Sequence, residues 1–245
     1  MQRYFVEKQL NINDEFIIDK DDLHHISKVM RNKNGDAITC IDENQTNYLC
    51  TILDINEGII KCEEILDINN ELDVDITLIY ALPKGDKFDL VLQKACELGV
   101  KQIVPLITSR CVVKTNHEKF SKKLPRYQKI LKEASEQSIR NIVPKIHNVI
   151  KLKEIDKYLS KHNLVAYEEI AKQNQHGQLY QTINALKPND TITIIVGSEG
   201  GFDQNEIDYL NSKGVLSCSL GKRILRSETA PLYMISVIGY SREVK

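Results

Sequence analysis

Thr191–Ala230 reads TITIIVGSEGGFDQNEIDYLNSKGVLSCSLGKRILRSETA. Its opening run, Thr191 to Val196, is apolar and β-branched, with the length of a fully buried strand. The run breaks into Gly197-Ser198-Glu199-Gly200-Gly201, where glycines permit backbone conformations and close ligand approach that a Cβ forbids. Asp203 stands three residues before Glu206, the capping-box pattern, so a helix is expected to start there and stop near Gly214. Val215 to Leu220 reads as a second strand, followed by Gly221 and the turn-like Arg226-Ser227-Glu228-Thr229. A last helix, roughly Ala230 to Ser241, carries Leu232, Ile235 and Ile238 on one face. Two strand ends therefore each open into a small-residue loop, the place where open α/β sheets bind ligands.

Common nucleotide and hydrolase fingerprints do not fit this stretch. Gly197 to Gly201 is not G-x-G-x-x-G, so a Rossmann dinucleotide site is unsupported. Gly214 to Lys222 has the wrong spacing for a P-loop, and Arg223 stands where that motif needs Ser or Thr. The neighbourhood of Ser198 is not G-x-S-x-G, which argues against a nucleophile elbow. The residues alone describe a small-molecule site, and a plain tight turn is the simpler alternative.

The chain of 245 residues has room for one large or two modest domains. Its formal charge of −1 hides an asymmetry. Glu7 to Asp75 holds 17 acidic and 6 basic residues, whereas Arg110 to Lys145 holds 10 basic and 3 acidic. The basic stretch suits a polyanion-facing patch or a solvated helix face. The six cysteines lack C-x-x-C spacing and sit mostly in apolar runs, as expected of reduced, buried thiols. The six histidines show no ligand spacing, so no metal is expected. No run of 18 apolar residues or signal peptide is visible, which predicts a cytoplasmic protein with no membrane partner.

Along the chain, Arg3 to Lys8 reads as a strand, and Asp21 or Asp22 as the cap of a short helix through Val29. Ala37 to Ile41, Tyr48 to Ile55 and Ile59 to Leu66 are short strands that suggest a small β-barrel. The polar Asp67 to Asp73 places a boundary, giving domains 1–70 and 71–245. Beyond it strands and helices alternate: Ile76 to Leu82, a helix capped by Asp86 and closed by Gly99, then Ile103 to Ile107. That alternation indicates a mostly parallel α/β sheet. A helix over Pro125 to Ser138 brings Glu133, Gln137 and Arg140 to helical spacing. Further elements are a helix at Leu152 to Ser160, a strand at Leu164 to Tyr167 ending in Glu168, a loop at Ala171 to Gly177 and a helix at Leu179 to Leu186.

GSEGGF (Gly197 to Phe202) with Glu206, followed by LGKRILRSETA (Leu220 to Ala230), closely resembles the RsmE family. That family comprises SPOUT-superfamily methyltransferases acting on N3 of a uridine in small-subunit ribosomal RNA. HHISKVMRNKNGD (His24 to Asp36), ALPKGDKFDLVLQKACELGVKQIVPLITSRCVVK (Ala81 to Lys114) and EASEQSIRNIVP (Glu133 to Pro144) extend the match over nearly the whole chain. One departure is Ser198, where the family more often has Pro.

The resemblance implies a PUA-like RNA-binding barrel, with His25, Val29 and Arg31 in its H-x-x-x-V-x-R element, ahead of the parallel sheet. It also implies helices on both faces of that sheet, a C-terminal trefoil knot near Tyr167, Gly197 and Leu220–Ala230, and a homodimer formed through it. The implied cofactor is S-adenosylmethionine, held by Tyr167, Glu168, Gly197, Ser198, Glu199, Gly200 and Gly201, and by Leu220, Gly221, Ile224, Leu225, Arg226, Thr229 and Ala230. The implied partner is 16S ribosomal RNA in the small subunit. Arg31, Lys84, Arg110, Lys114 and Arg140 are the expected RNA contacts.

Uridine N3 must lose its proton near the transition state. Glu199 or Glu228 is a candidate acceptor, and Arg226 a candidate stabiliser of charge on the uracil carbonyls. Glu228 equally suits the cap of the final helix. The competing readings are a SPOUT enzyme acting on ribose 2′-OH or transfer RNA, a non-catalytic ribosome-assembly factor, and a Rossmann-like metabolic enzyme.

Overall fold

A computed structural model describes residues 2–169 and 177–244. The expected loop at Ala171 to Gly177 thus lies almost wholly outside the described residues. The chain divides into two compact units, Met1–Glu71 with Ser135–Ile142, and Leu72–Ala134 with Val143–Lys245. The octapeptide 135–142 departs from the expected contiguous domains by joining the first unit.

In the first unit, strands β1 (Arg3–Phe5), β2 (Glu15–Ile17), β3 (Ala37–Ile41), β4 (Asn47–Asp54) and β5 (Ile59–Leu66) form one sheet in the order β1-β3-β4-β5-β2. Its buried face collects Tyr4, Phe16, Ile38, Cys40, Cys50, Ile52, Ile60 and Cys62 around Ile26. Helix α1 (Lys20–His24) is capped by Asp19, whose carboxylate accepts from the Asp21 amide, and not by Asp21 or Asp22. It runs straight into a π-helical turn, His25–Val29, that ends with Arg31 in the left-handed region at φ 59°. The His25 ring is committed to the Tyr4 hydroxyl at 3.1 Å. Lys28, Val29, Met30, Arg31 and Lys33 remain exposed.

Ser135–Ile142 enters this unit through polar contacts. Arg140 pairs with Glu71 through two guanidinium nitrogens, and Glu71 also accepts from the Asn141 amide at 2.7 Å. Arg3 donates to the Ile139 carbonyl at 2.7 Å. Arg3 and Arg140 are both buried.

The second unit is a seven-stranded sheet among the described residues. Its strands are β6 (Asp75–Ala81), β7 (Gln102–Ile107), β8 (Lys145–Ile146), β9 (Ile150–Lys151), β10 (His162–Ala166), β11 (Thr191–Val196) and β12 (Leu216–Cys218). The order is β12-β10-β11-β6-β7-β8, with β9 also on β7, and every pairing is parallel. Both faces are covered, and the central strands β6, β7 and β11 are accordingly rich in buried apolar residues. Ile76, Leu78 and Tyr80 point into one core with Ile192, Ile194 and Val196; Ile79 and Ala81 point into the other with Ile195.

The first core is covered by α2 (Lys87–Glu97), α4 (Leu124–Gln137), α5 (Gln178–Ala185) and α7 (Thr229–Glu243), with α3 (His117–Ser121) contributing Phe120. The other is covered by α6 (Gln204–Ser212) and a 3₁₀ helix at Leu152–Tyr158. The fold is therefore α/β with a mostly parallel sheet, as expected. Asp203 and Glu206 form the reciprocal capping box that their spacing predicts. Asp86 holds the N-cap position of α2 but makes no side-chain cap bond. On α7 the buried face is Ala230, Pro231, Met234, Ile235 and Ile238, with Leu232 half-buried.

Candidate cofactor and methyl-transfer site

Strand order reverses direction between β6 and β11: the chain builds outward from β6 through β7, then returns on the other side. The carboxyl ends of these strands are where such sheets bind ligands. Three loops meet there: residues 82–86 after β6, 197–203 after β11 and 219–228 after β12.

The glycine loop is built by close packing. Gly201 donates its amide to the Ser198 carbonyl at 2.9 Å and adopts φ 65°. A Cβ on Gly197 would stand 3.1 Å from Gly201 backbone, and one on Gly200 would stand 2.9 Å from Arg110 Cβ. The segment after β7 pins the loop further. Arg110 Nη1 donates to the Gly200 carbonyl at 3.0 Å, Ser109 Oγ donates to Asp203 at 2.8 Å, and the Ser109 amide donates to Glu206 at 2.7 Å. Hydrogen bonds from the Glu206 amide and from Ser109 hold the Asp203 carboxyl below its ordinary pKa.

The second loop is anchored by Leu220 and Leu225 on the main core, with Gly221 at φ 108° and the Ile224 side chain outward and 77% exposed. Arg226 to Thr229 forms a turn in which the Thr229 and Ala230 amides donate to the Arg226 carbonyl at 2.9 and 3.0 Å. The exposed Arg226 guanidinium has no acceptor among the described residues. Glu228 sits at the N-cap of α7 without a capping bond. Beside β10, the Tyr167 amide donates to the Cys218 carbonyl at 3.0 Å, and the Tyr167 hydroxyl to Gln204 at 3.3 Å. Glu168 is exposed.

Lys87 joins the loops. Its Nζ lies 2.9 Å from Glu199 and 3.1 Å from Glu228, while the Lys84 amide donates to Glu199 at 3.3 Å. Burial pushes both carboxyls up, but hydrogen bonds from Lys87 and the backbone outweigh it and hold both below the ordinary glutamate value. Carboxylates stabilised in this way are weak proton acceptors. The same contacts raise the Lys87 ammonium pKa, the Glu199 bond foremost.

Two hydroxyls at this edge are buried and lack a hydrogen bond of normal geometry among the described residues: Ser198 Oγ and Tyr80 Oη. Tyr80 pairs with Val196 in the sheet, and its hydroxyl faces Ser227, Glu199 and Glu228. Burial keeps that phenol protonated. Buried hydroxyls in a cleft of close-approach glycines and backbone amides fit a polar ligand such as a nucleoside-bearing sulfonium. Among the described residues, no group of three or more His, Cys, Asp or Glu could hold a metal.

Lys84 and Lys114 are exposed in the second unit, and Arg31 in the first. Arg140 is buried against Glu71, so its guanidinium is not presented to a nucleic acid. Sequence reasoning missed Lys87. The available signal was a cation at the first position of a helix, where the macrodipole disfavours it.

Fold and loops together are those of an RNA methyltransferase: residues 70–239 match the RNA methyltransferase domain, and residues 18–65 the RNA methyltransferase PUA domain. The chain is 36% identical to ribosomal RNA small subunit methyltransferase E of Bacillus subtilis (strain 168), spanning 100% of this chain and 98% of that protein. It is also 36% identical to the protein of that name from Mesomycoplasma hyopneumoniae (strain 232), over 96% of this chain and 98% of the relative. The crystal structure of ribosomal RNA small subunit methyltransferase E from Neisseria gonorrhoeae bound to S-adenosyl methionine superposes with a TM-score of 0.84. That superposition has 29% identity and covers 97% of this chain and 96% of the other. The chain belongs to the ribosomal RNA small subunit methyltransferase E family.

Proposed function

We propose that the protein methylates N3 of a uridine in 16S ribosomal RNA of the small subunit, using S-adenosylmethionine. The observation that carries the reading is the meeting of the Gly197–Gly201 and Leu220–Ala230 loops at the β6/β11 switch point, in a chain of this family. When bound, the cofactor supplies an electrophilic methyl group on sulfur. Uridine N3 would take that methyl group as the carbon–sulfur bond breaks, its electron pair staying on sulfur, and the N3 proton would pass to solvent water.

The protein's part is alignment and electrostatics. The amides and carbonyls of the two loops hold the adenosine portion, with Ser198 and Tyr80 offering buried hydroxyls. Arg226, exposed beside the site, stabilises negative charge developing on the uracil carbonyls and so weakens the hold on the N3 proton. Because N3 lies on the Watson–Crick edge, the target base enters unpaired or splayed out.

Lys84, Lys114 and Arg110 in the second unit, and Arg31 in the first, contact phosphate or base. The reading includes the trefoil knot, which fits a chain returning from edge strand β12 to pack α7 on β11 and β6. It also includes a homodimer, for which the exposed Tyr233, Tyr240 and Val244 of the α7 region and Ile224 offer an apolar surface. It places the protein in the cytoplasm; no helix among the described residues is long and apolar enough to cross a membrane.

Nucleoside mass spectrometry on unmodified small subunits incubated with the protein and labelled S-adenosylmethionine tests the reading. Labelled 3-methyluridine is expected. Label in a ribose-methylated nucleoside would move the substrate, and cofactor-indifferent RNA binding without label would favour an assembly factor.

A further inference from the structure

Lys87 opens α2, where a helix dipole disfavours a cation. Its ammonium is shared between two carboxylates on separate loops, Glu199 after β11 and Glu228 ahead of α7. The Lys84 amide grips the same Glu199 oxygen, so the loop after β6 and the first residue of α2 each hold the glycine loop. The three side chains are only 16–33% exposed, which screens these pairs less than an open surface bridge. Glu228 gives up the helix cap that its position allows and turns to Lys87 and Ser227 instead. The arrangement thus spans the two segments that must close on a ligand.

We propose that Lys87 is a positioning residue for methyl transfer, a strap that draws Glu199 and Glu228 together and sets the separation of the two cofactor loops. The proposal rests on the reading of those loops as the S-adenosylmethionine site. Glu199 and Glu228 then serve as the two ends of the strap, and proton removal from N3 does not depend on either. A strap has a specific signature: losing Lys87 or either carboxylate releases the same constraint, so a second loss adds nothing to the first.

The test compares wild-type protein with K87M, K87R, E199Q, E228Q and K87M/E228Q. Each is titrated calorimetrically with S-adenosylmethionine, assayed on small subunits, and melted to check folding. K87M removes the charged hydrogen bonds to both Glu199 and Glu228 and is expected to weaken cofactor binding roughly tenfold. KM for the cofactor should rise while KM for the subunit stays constant, and K87R should restore most of the loss. The double variant should bind within about twofold of K87M, the non-additivity of coupled residues.

Wild-type affinity in K87M, or effects that multiply in the double variant, overturns the proposal. Should K87M fail to fold, the near-isosteric E228Q decides: unchanged binding there overturns it, and a roughly tenfold loss supports it. Absence of cofactor binding by the wild-type protein overturns both this proposal and the reading beneath it. Wild-type binding with an unaffected K87M overturns this proposal alone.

Discussion

Gly200 sits so close to Arg110 that a methyl group on it would stand 2.9 Å from Arg110 Cβ and 3.2 Å from the Arg110 carbonyl oxygen. The contact locks the glycine loop to the segment after β7, and no flexible side-chain tip is there to yield. Gly200→Ala should therefore push the two segments apart, destabilising by about 1–3 kcal/mol as overpacking does. Thermal melts and cofactor titrations should both show a loss; unchanged values would mean the loop adapts freely.

Arg226→Ala should lower kcat by about 10²–10³, the usual effect of removing one preorganised charge stabiliser. Its exposed guanidinium makes no hydrogen bond to either loop among the described residues, so cofactor affinity should hold within about twofold. Unchanged turnover would remove Arg226 from the reaction.

The exposed cations separate from the buried one. Arg31→Ala, Lys84→Ala and Lys114→Ala should each weaken RNA binding and reduce the salt slope by about one unit, if each meets a phosphate. Arg140→Met should instead cost about 3–5 kcal/mol of stability, because it strands the Glu71 charge. Filter binding across a salt series and denaturant unfolding distinguish the two behaviours. An Arg140 variant of native stability that binds RNA poorly would reverse the assignment.

Asp190 offers a pH dependence with a defined sign. Lys161, the Lys187 amide and His162 all donate to it, and they hold its carboxyl well below the ordinary aspartate value. A pKa depressed on folding contributes stability that is fully present above the unfolded value near pH 4 and is lost as pH falls below it. Asp190→Asn should be less stable than wild type at pH 7, with the gap narrowing below about pH 4. Urea titrations at pH 7 and pH 3 check this; a constant gap would show that the contribution is not ionic.

Much of the second unit was legible because its strands are buried on both faces. Runs such as Thr191–Val196 stand out in sequence whatever their neighbours are. The Asp203–Glu206 box was legible because both partners lie within one turn. Features that depend on distant partners were not. Lys87 meets Glu199 and Glu228 across more than a hundred residues, and nothing local marks that meeting. Arg140 fits a helix-end surface cation as well as a buried one, and its pairing with Glu71, distant in sequence, favours the second. Strand β2 has three residues and one buried side chain, too little for an alternation to register. The cap of α1 had three aspartates to choose from, and Asp19 won by placing its carboxylate against the Asp21 amide.

The return of residues 135–142 to the first unit bears on how this gene can be cut and recombined. The backbone passes from one unit to the other at three places, so no single crossover exchanges either unit whole. A fragment ending at residue 70 would lack Glu71, Arg140 and Asn141, and would leave Arg3 without its acceptors. An exchange of the first unit must therefore carry residues 135–142 along with residues 1–71, although each unit has a core of its own.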